Sequence, residues 1–129
     1  MAEGDLEVIR RGYAAFIAGD LEAVRGLFAE DATWEVPGSN PTSGTKQGRD
    51  AIIGYLVQIM TLSAGTFTTT QLDLAEGDDH VFSLDRIEAT RNGVTVNNTG
   101  INLFQLQDGL VRSVRQYAEN TAELDAFWA

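Results

Sequence analysis

The sequence contains no cysteine, a single histidine and only nine basic residues against nineteen acidic ones. Without cysteine no disulfide framework is possible, but 129 residues are enough to form a hydrophobic core that holds a fold together. No apolar stretch approaches the ~20 residues that a membrane span requires. The start, MAEGDLEVIRR, lacks the basic and apolar regions of a signal peptide. We therefore expect a soluble, cytoplasmic protein with a single domain over residues 1–129.

The shortage of basic residues limits the partners of the protein. The formal net charge is −10, and the bases are scattered along the chain, with only Arg10 and Arg11 adjacent. Nucleic acids and anionic lipids are repelled by such a surface. We expect neither as a partner and interpret the acidity as a source of solubility.

What the sequence does contain is a helical half followed by a strand-rich half. Over the first sixty residues, apolar side chains recur every three or four positions, which predicts helices near residues 6–17, 21–28 and 52–60. Between the second and third helices, residues 32–36 favour a short strand. A loop rich in Ser, Asn, Pro, Thr and Gly follows that strand.

After Gly65 the residues favour strands. Thr, Val, Phe and Ile dominate four segments, and the pairs Asn92-Gly93 and Asp108-Gly109 are typical of tight hairpin turns. Three helices followed by such a meander predict an α+β domain in which helices cover one face of a curved antiparallel sheet. The predicted strands are residues 66–74, 80–90, 94–106 and 110–118, and a last helical turn is expected at residues 120–128.

This order of elements resembles the nuclear-transport-factor-2-like superfamily, which includes SnoaL-like polyketide cyclases, limonene epoxide hydrolases and ketosteroid isomerases. The resemblance covers nearly the whole chain. It implies a cone-shaped, curved mixed or antiparallel sheet wrapped by three N-terminal helices, a small hydrophobic ligand, a homodimer, and no metal or cofactor. The segments that carry it are AGDLEAVRGLFAEDATWEVPG, GRDAIIGYL, DRIEATRNG, FQLQDG and RQY.

The resemblance also implies candidate catalytic positions. Arg86 and Glu88 fall on the Arg-x-Asp pair of the epoxide hydrolases, and Gln116 falls on the second aspartate, their general base. An amide cannot take a proton from water at neutral pH, so direct epoxide hydration is not expected. Val36 and Asn102 likewise fall on positions that are ionisable in the isomerases or cyclases.

A pocket follows from these positions. If Arg86 and Glu88 face it, strand alternation turns Asp85 and Ile87 to the opposite face, which in this fold often meets helices or a second subunit. A mostly apolar ligand with one or two oxygens would suit such a pocket. The expected substrate-binding residues are Trp34, Val36, Phe82, Leu84, Asn102, Tyr13 and Tyr55.

Two functions remain open from the sequence. In the first, Glu88 is the acid or base of a metal-free cyclase, isomerase or epoxide-opening enzyme, and Arg86 and Gln116 bind oxygen atoms of a polyketide-, terpenoid- or steroid-like substrate. In the second, Arg86 and Glu88 form an internal ion pair in a ligand-binding or dimerising accessory domain without activity. Whether Glu35 or His80 reaches the pocket also stays open.

Overall fold

The computed structural model describes residues 4–129. Within this range the chain forms four helices and one six-stranded sheet. The helices are α1 (Asp5–Ile17), α2 (Leu21–Arg25), α3 (Arg49–Leu62) and α4 (Thr121–Trp128). The strands are β1 (Phe28–Val36), β2 (Gly44–Gln47), β3 (Thr68–Glu76), β4 (His80–Arg91), β5 (Val94–Gln107) and β6 (Leu110–Ala118).

The helix boundaries follow local signals in the sequence. Asp5 and Glu7 occupy the first turn of α1, where the exposed N–H groups favour negative charge. The helix ends at Ile17, shortly before Gly19, which adopts a positive φ of 76°. Asp20 then caps α2, since its side chain accepts a hydrogen bond from the Ala23 N–H at 3.1 Å. These features confirm the helix–turn–helix start expected from the sequence.

The first strands differ from the expectation. Helix α2 ends at Arg25 and β1 begins at Phe28, because Phe28 pairs with Val111 in a parallel ladder between β1 and β6. Strand β2 was not predicted, since its four residues GTKQ carry no apolar alternation. It forms because the loop after β1 returns antiparallel, which places Lys46 opposite Trp34.

The sheet confirms the expected α+β class. Its strand order is β2-β1-β6-β5-β4-β3, and all neighbours except β1 and β6 are antiparallel. Both predicted hairpin turns are present, with positive φ at Asn92, Gly93, Asp108 and Gly109. The sheet is curved and does not close into a barrel.

The helices lie on the concave side of this sheet. Helix α1 packs against β3 and β4, α3 against β1 and β2, and α4 against β5. The core between them includes side chains from every layer: Val8 of α1, Ile52 of α3, Val81 of β4 and Val114 of β6 are each at most 2% exposed. The inward side chains of the central strands therefore decide what the interior can bind.

None of the helices in residues 4–129 is both long and apolar enough to pass through a membrane.

Candidate active site

A cavity lies between the concave face of the sheet and helices α1, α3 and α4. About 130 Å³ of it is open to water-sized molecules, and cavities of roughly this size bind small aromatic molecules. Its walls are mostly apolar, which favours a ligand with a large hydrocarbon part. The aromatic side chains that line it are Tyr13, Phe16, Phe28, Trp34, Tyr55, Phe67, Phe104 and Trp128.

Strand β4 presents the opposite face to the one expected. Asp85 points into the cavity and is 4% exposed, whereas Arg86 and Glu88 lie on the outer face of the sheet and are exposed. The prediction that these two charges face the pocket is therefore wrong. Since alternate side chains of a strand point to opposite faces, the error of one residue inverts the whole strand.

The same inversion affects two expected substrate-binding residues. Phe82 and Leu84 are 39% and 36% exposed on the outer face, and neither lines the cavity. The inward positions are instead small or branched: Val81, Ser83 and Ala89 are buried alongside Asp85. Sequence reasoning missed Asp85, because each face of β4 carries two charged side chains, Asp85 and Arg91 on one face and Arg86 and Glu88 on the other. The charge pattern of the strand alone therefore does not indicate which face is buried.

Asp85 is the centre of a buried hydrogen-bond network. The Ser83 hydroxyl donates to its Oδ1 at 2.6 Å, and the Tyr13 hydroxyl donates to its Oδ2 at 2.5 Å. Asn102 Nδ2 lies 3.2 Å from the same Oδ2 and 3.1 Å from the Tyr13 oxygen. Gln71 Nε2 in turn donates to the Ser83 oxygen at 3.0 Å. The carboxyl group thus has three donors from α1, β4 and β5, which hold its orientation.

Burial dominates the electrostatics of this network. It raises the pKa of the Asp85 carboxyl, and the hydrogen bonds from Ser83 and Tyr13 only partly oppose that rise. Burial also raises the pKa of the Tyr13 hydroxyl far above its ordinary value, and the negative charge of Asp85 adds to the effect. Tyr13 therefore stays protonated and acts as a donor, while the raised pKa of Asp85 makes this carboxyl the acid–base candidate of the network.

A second polar cluster surrounds Gln116 on β6. Trp34 Nε1 and the Tyr55 hydroxyl both donate to Gln116 Oε1, each at 3.3 Å. Burial raises the pKa of the Tyr55 hydroxyl well above its ordinary value, so this group too remains a donor. The cluster lies beside the Asp85 network, because Asn102 and Gln116 are directly opposite each other in the β5–β6 ladder.

Six of the expected site residues line the cavity, whereas Glu35 and His80, whose positions the sequence left open, do not. Glu35 lies on the outer side of β1, where its carboxylate is 2.8 Å from the Arg115 guanidinium. His80 contacts Asp79 and the ring of Phe82, and it does not line the cavity. The cavity is lined, as expected, by Tyr13, Trp34, Val36, Tyr55, Asn102 and Gln116.

The lining of the cavity includes further residues that the sequence did not suggest. Asn40 and Thr42 of the β1–β2 loop line it, as do Leu124 and Trp128 of α4. These segments are distant in the chain and meet only in the folded protein. The described residues include no group of three or more His, Asp or Glu side chains placed to hold a metal ion.

Comparisons with known proteins place the chain in a family. A family model described as SnoaL-like domain matches residues 9–114. An uncharacterized protein of Mycobacterium tuberculosis is 30% identical over 128 residues, which cover 98% of each chain. The structure of Bal32a, from a soil-derived mobile gene cassette, is 32% identical with a TM-score of 0.94 and covers 97% of this chain and 96% of its own.

More distant solved structures share the fold. An NTF2-like protein of Burkholderia pseudomallei is 21% identical, covers 99% of both chains and has a TM-score of 0.88. A proposed polyketide cyclase of Xanthomonas campestris is 22% identical, with a TM-score of 0.75 over 97% of this chain and 96% of its own. The chain is a member of the SnoaL-like family and has the nuclear-transport-factor-2-like fold.

Proposed function

We propose that this SnoaL-like protein is an enzyme that moves a proton within an apolar, oxygen-bearing small molecule, as an isomerase or cyclase, with Asp85 as the acid–base group. The observation that carries the proposal is the environment of Asp85. Its carboxyl is 4% exposed, lines an aromatic cavity and accepts three hydrogen bonds. No basic side chain stands among the lining residues that the structure describes.

The chemistry follows from the raised pKa of this carboxyl. A general base is most effective when its pKa is close to the working pH, and burial raises the pKa of Asp85 in that direction. Ionised Asp85 would take a proton from a carbon beside a carbonyl group and leave an enolate. Protonated Asp85 would then return the proton to another carbon, which shifts a double bond. Alternatively, the enolate carbon would attack a second carbonyl and close a ring, and protonated Asp85 would give its proton to the alkoxide oxygen formed there.

Tyr13 and Asn102 have positioning roles in this scheme. Their donors hold Asp85 Oδ2, and the protonated Tyr13 hydroxyl compensates the negative charge whenever the carboxyl is ionised. Since the cavity lies between the sheet and the helices, a bound ligand would have little contact with water, and these hydrogen bonds would act at low dielectric.

The substrate class in this proposal remains polyketide-, terpenoid- or steroid-like. It is supported by the aromatic walls and by family membership. The earlier candidates Arg86 and Glu88 have no part in it, because both are exposed on the outer face of the sheet. Neutral and hydrophobic compounds with carbonyl groups are the first to test.

The experiment is a turnover screen with paired variants. For any compound that the protein converts, Asp85→Asn is expected to lower kcat by about 10²–10⁴-fold while binding persists, the usual range for loss of a general acid–base group. Glu88→Gln, three residues away on the outer face, is expected to keep wild-type turnover. Loss of turnover in Glu88→Gln, or full turnover in Asp85→Asn, would remove Asp85 from the proposed role.

A homodimer is also part of the proposal. Four apolar side chains on the outer face of the sheet are 36–48% exposed, and the ladder places Leu84 beside Ile101 and Ile101 beside Tyr117. A continuous apolar surface of this kind favours association with a second copy. The four are Phe82, Leu84, Ile101 and Tyr117, named the outer apolar patch below.

A second candidate function is ligand binding without catalysis, in a dimerising accessory domain. It is favoured by the completeness of the Asp85 network, since three donors also suit a purely structural carboxyl. The Asp85→Asn comparison separates the two candidates. A cytoplasmic location, and a function that needs neither metal nor cofactor, stay predictions.

A further inference from the structure

The orientation of the Gln116 amide is fixed by its neighbours. Trp34 Nε1 can only donate a hydrogen bond, so the Gln116 atom that faces it must be the oxygen. The Tyr55 hydroxyl reaches the same Oε1 at 3.3 Å. The two donors leave no ambiguity between the oxygen and the nitrogen of this side chain.

The amide nitrogen of Gln116 consequently faces away from Trp34 and Tyr55. Within residues 4–129, no side chain or carbonyl accepts a hydrogen bond from it, and Gln116 lines the cavity. A donor in an apolar cavity loses hydrogen bonds to bulk water and gains most from an acceptor on a bound ligand.

Asn102 presents the complementary group. Its Nδ2 donates to Asp85 Oδ2 and to the Tyr13 oxygen, which leaves its Oδ1 without a donor in the described part of the chain. Asn102 and Gln116 are direct partners in the β5–β6 ladder, and both line the cavity. The free donor and the free acceptor therefore belong to neighbouring residues that both line the cavity.

The charge of the cavity restricts the ligand further. Asp85 is the one carboxyl among the described lining residues, and no Lys, Arg or His accompanies it there. An anionic ligand would lose its hydration without gaining a cation, and it would meet Asp85 as a like charge. An uncharged oxygen-bearing group loses less hydration than an anion and is not repelled by Asp85.

We propose that Gln116 Nε2 and Asn102 Oδ1 form a subsite for a neutral oxygen group of the ligand. A carbonyl oxygen accepts from Gln116, and a hydroxyl group accepts from Gln116 while donating to Asn102. The subsite selects uncharged ketones and alcohols against carboxylates and against hydrocarbons of the same shape. The inference rests on the proposed function only in taking this cavity as the substrate site.

Binding of four small aromatic probes tests the subsite without a known substrate. Acetophenone carries the carbonyl, 1-phenylethanol carries the hydroxyl, α-methylstyrene replaces the carbonyl oxygen by carbon, and benzoate replaces the methyl ketone by a carboxylate. Titrations followed by the side-chain amide signals of ¹⁵N-labelled protein would give affinities and show directly whether the Gln116 NH₂ signal shifts. We expect acetophenone and 1-phenylethanol to shift this signal and to bind about tenfold more tightly than α-methylstyrene. Benzoate is expected to bind most weakly.

Variants at Gln116 complete the test. Gln116→Met keeps the length of the side chain but removes the donor, and it is expected to abolish the tenfold preference while leaving α-methylstyrene affinity unchanged. Gln116→Glu can still accept hydrogen bonds from Trp34 and Tyr55 and should lose the same preference. It therefore distinguishes loss of the donor from a folding defect in the methionine variant. Gln107→Met, on an exposed position of β5, is the matched control and should behave as wild type.

The proposal is overturned if acetophenone and α-methylstyrene bind equally well, if acetophenone fails to bind up to its solubility limit, or if benzoate is preferred. It is also overturned if both Gln116 variants retain the preference. Failure of the proposed function looks different. Turnover that survives Asp85→Asn would reject the acid–base role of Asp85, whereas the probe preferences and the Gln116 signal would be unchanged.

Discussion

At the scale of single residues, Asp85 determines how the stability of the protein depends on pH. Its pKa is raised in the folded state above the ordinary value of 3.8. The folded state therefore holds this proton more tightly than the unfolded state does. Below the pKa of the unfolded state, Asp85 is protonated in both states and does not lower the free energy of unfolding. Once the pH has risen through the pKa of the folded state, the cost of burying the charged carboxylate is fully subtracted from the free energy of unfolding.

Asp85→Asn is expected to remove this penalty. The variant should gain stability relative to wild type as the pH rises above the pKa of the unfolded state, by about 0.5–2 kcal/mol once Asp85 is ionised in the wild-type fold, as is common when a functional site is relieved of an unfavourable group. Chemical denaturation at a series of pH values measures the difference. Asp78→Asn, at an exposed position, is the control and should follow wild type. Parallel curves for wild type and Asp85→Asn would contradict the prediction.

From the sequence, the site residues on β1, β5 and β6 could be identified, whereas the face of β4 that lines the cavity was assigned wrongly. Trp34, Asn102 and Gln116 could be found because the resemblance to the superfamily aligns them with its catalytic positions on strands β1, β5 and β6. In β4, both faces carry charge and both carry apolar residues, so periodicity does not decide which faces inward. Burial of Asp85 depends on donors from α1 and β5, which only the folded structure brings within reach.

At the scale of elements, helix α4 is attached to the rest of the fold by polar contacts at its middle and at its C-terminal end. Asp125, in the middle, accepts hydrogen bonds from the Ser39 N–H and from Asn40 Nδ2, each at 2.8 Å, and thereby links α4 to the β1–β2 loop. At the C-terminal end, Arg91 donates to the carbonyl oxygens of Phe127 and Ala129 at 3.0 and 2.6 Å. The helix and the loop together border the cavity.

Asp125→Ala is expected to loosen α4. The hydrogen bond from the Ser39 N–H and that from Asn40 hold the pKa of Asp125 below its usual range. Its contribution is therefore present above the unfolded pKa and is lost as the pH falls through the folded pKa. At neutral pH the variant should have a lower Tm and faster hydrogen exchange in α4, and at acidic pH it should match wild type. Glu123→Ala, on the exposed side of α4, provides the comparison.

An unchanged exchange rate in α4 would show that the apolar contacts of Leu124 and Phe127 alone hold the helix. The sequence predicted a last helical turn at residues 120–128, and the structure confirms a helix there, with Asn120 as its cap. It could not predict the link to Ser39, because 86 positions separate the partners and the loop carries no periodic pattern.

At the scale of the whole molecule, the outer apolar patch and the net charge act in opposite directions on association. Each chain carries a formal charge of −10, so two copies repel each other at low ionic strength. Burial of the patch favours the dimer. Added salt screens the repulsion, so we expect dimerisation to strengthen as the salt concentration rises.

Leu84→Glu is expected to convert the dimer to a monomer, since it places a charge in the centre of the patch. Val57→Glu changes an equally apolar side chain that is 43% exposed on α3, away from the patch, and should remain dimeric. Sedimentation velocity at low and high salt measures both effects. A monomeric wild type at the highest soluble concentration would contradict the proposed homodimer.

The overall architecture was the part most accessible from sequence, for a physical reason. Helical spacing in the first half, β-branched residues in the second and two turn pairs such as Asn92-Gly93 all report local geometry. The parallel pairing of β1 with β6 and the short strand β2 depend on contacts between distant segments. No local pattern announces those contacts.

Gln71 does not line the cavity, but it influences the pKa of Asp85 through Ser83. It belongs to β3, the edge strand of the sheet, and its hydrogen bond keeps the Ser83 hydroxyl directed at the Asp85 carboxyl. An edge strand opens more readily than a central one, because only one side of it is paired. The hydrogen bond from Ser83 lowers the pKa of Asp85, so loss of the Gln71 contact on opening of β3 is expected to raise that pKa. Substitutions at Gln71 would therefore change the pKa of Asp85 without replacing any residue that lines the cavity.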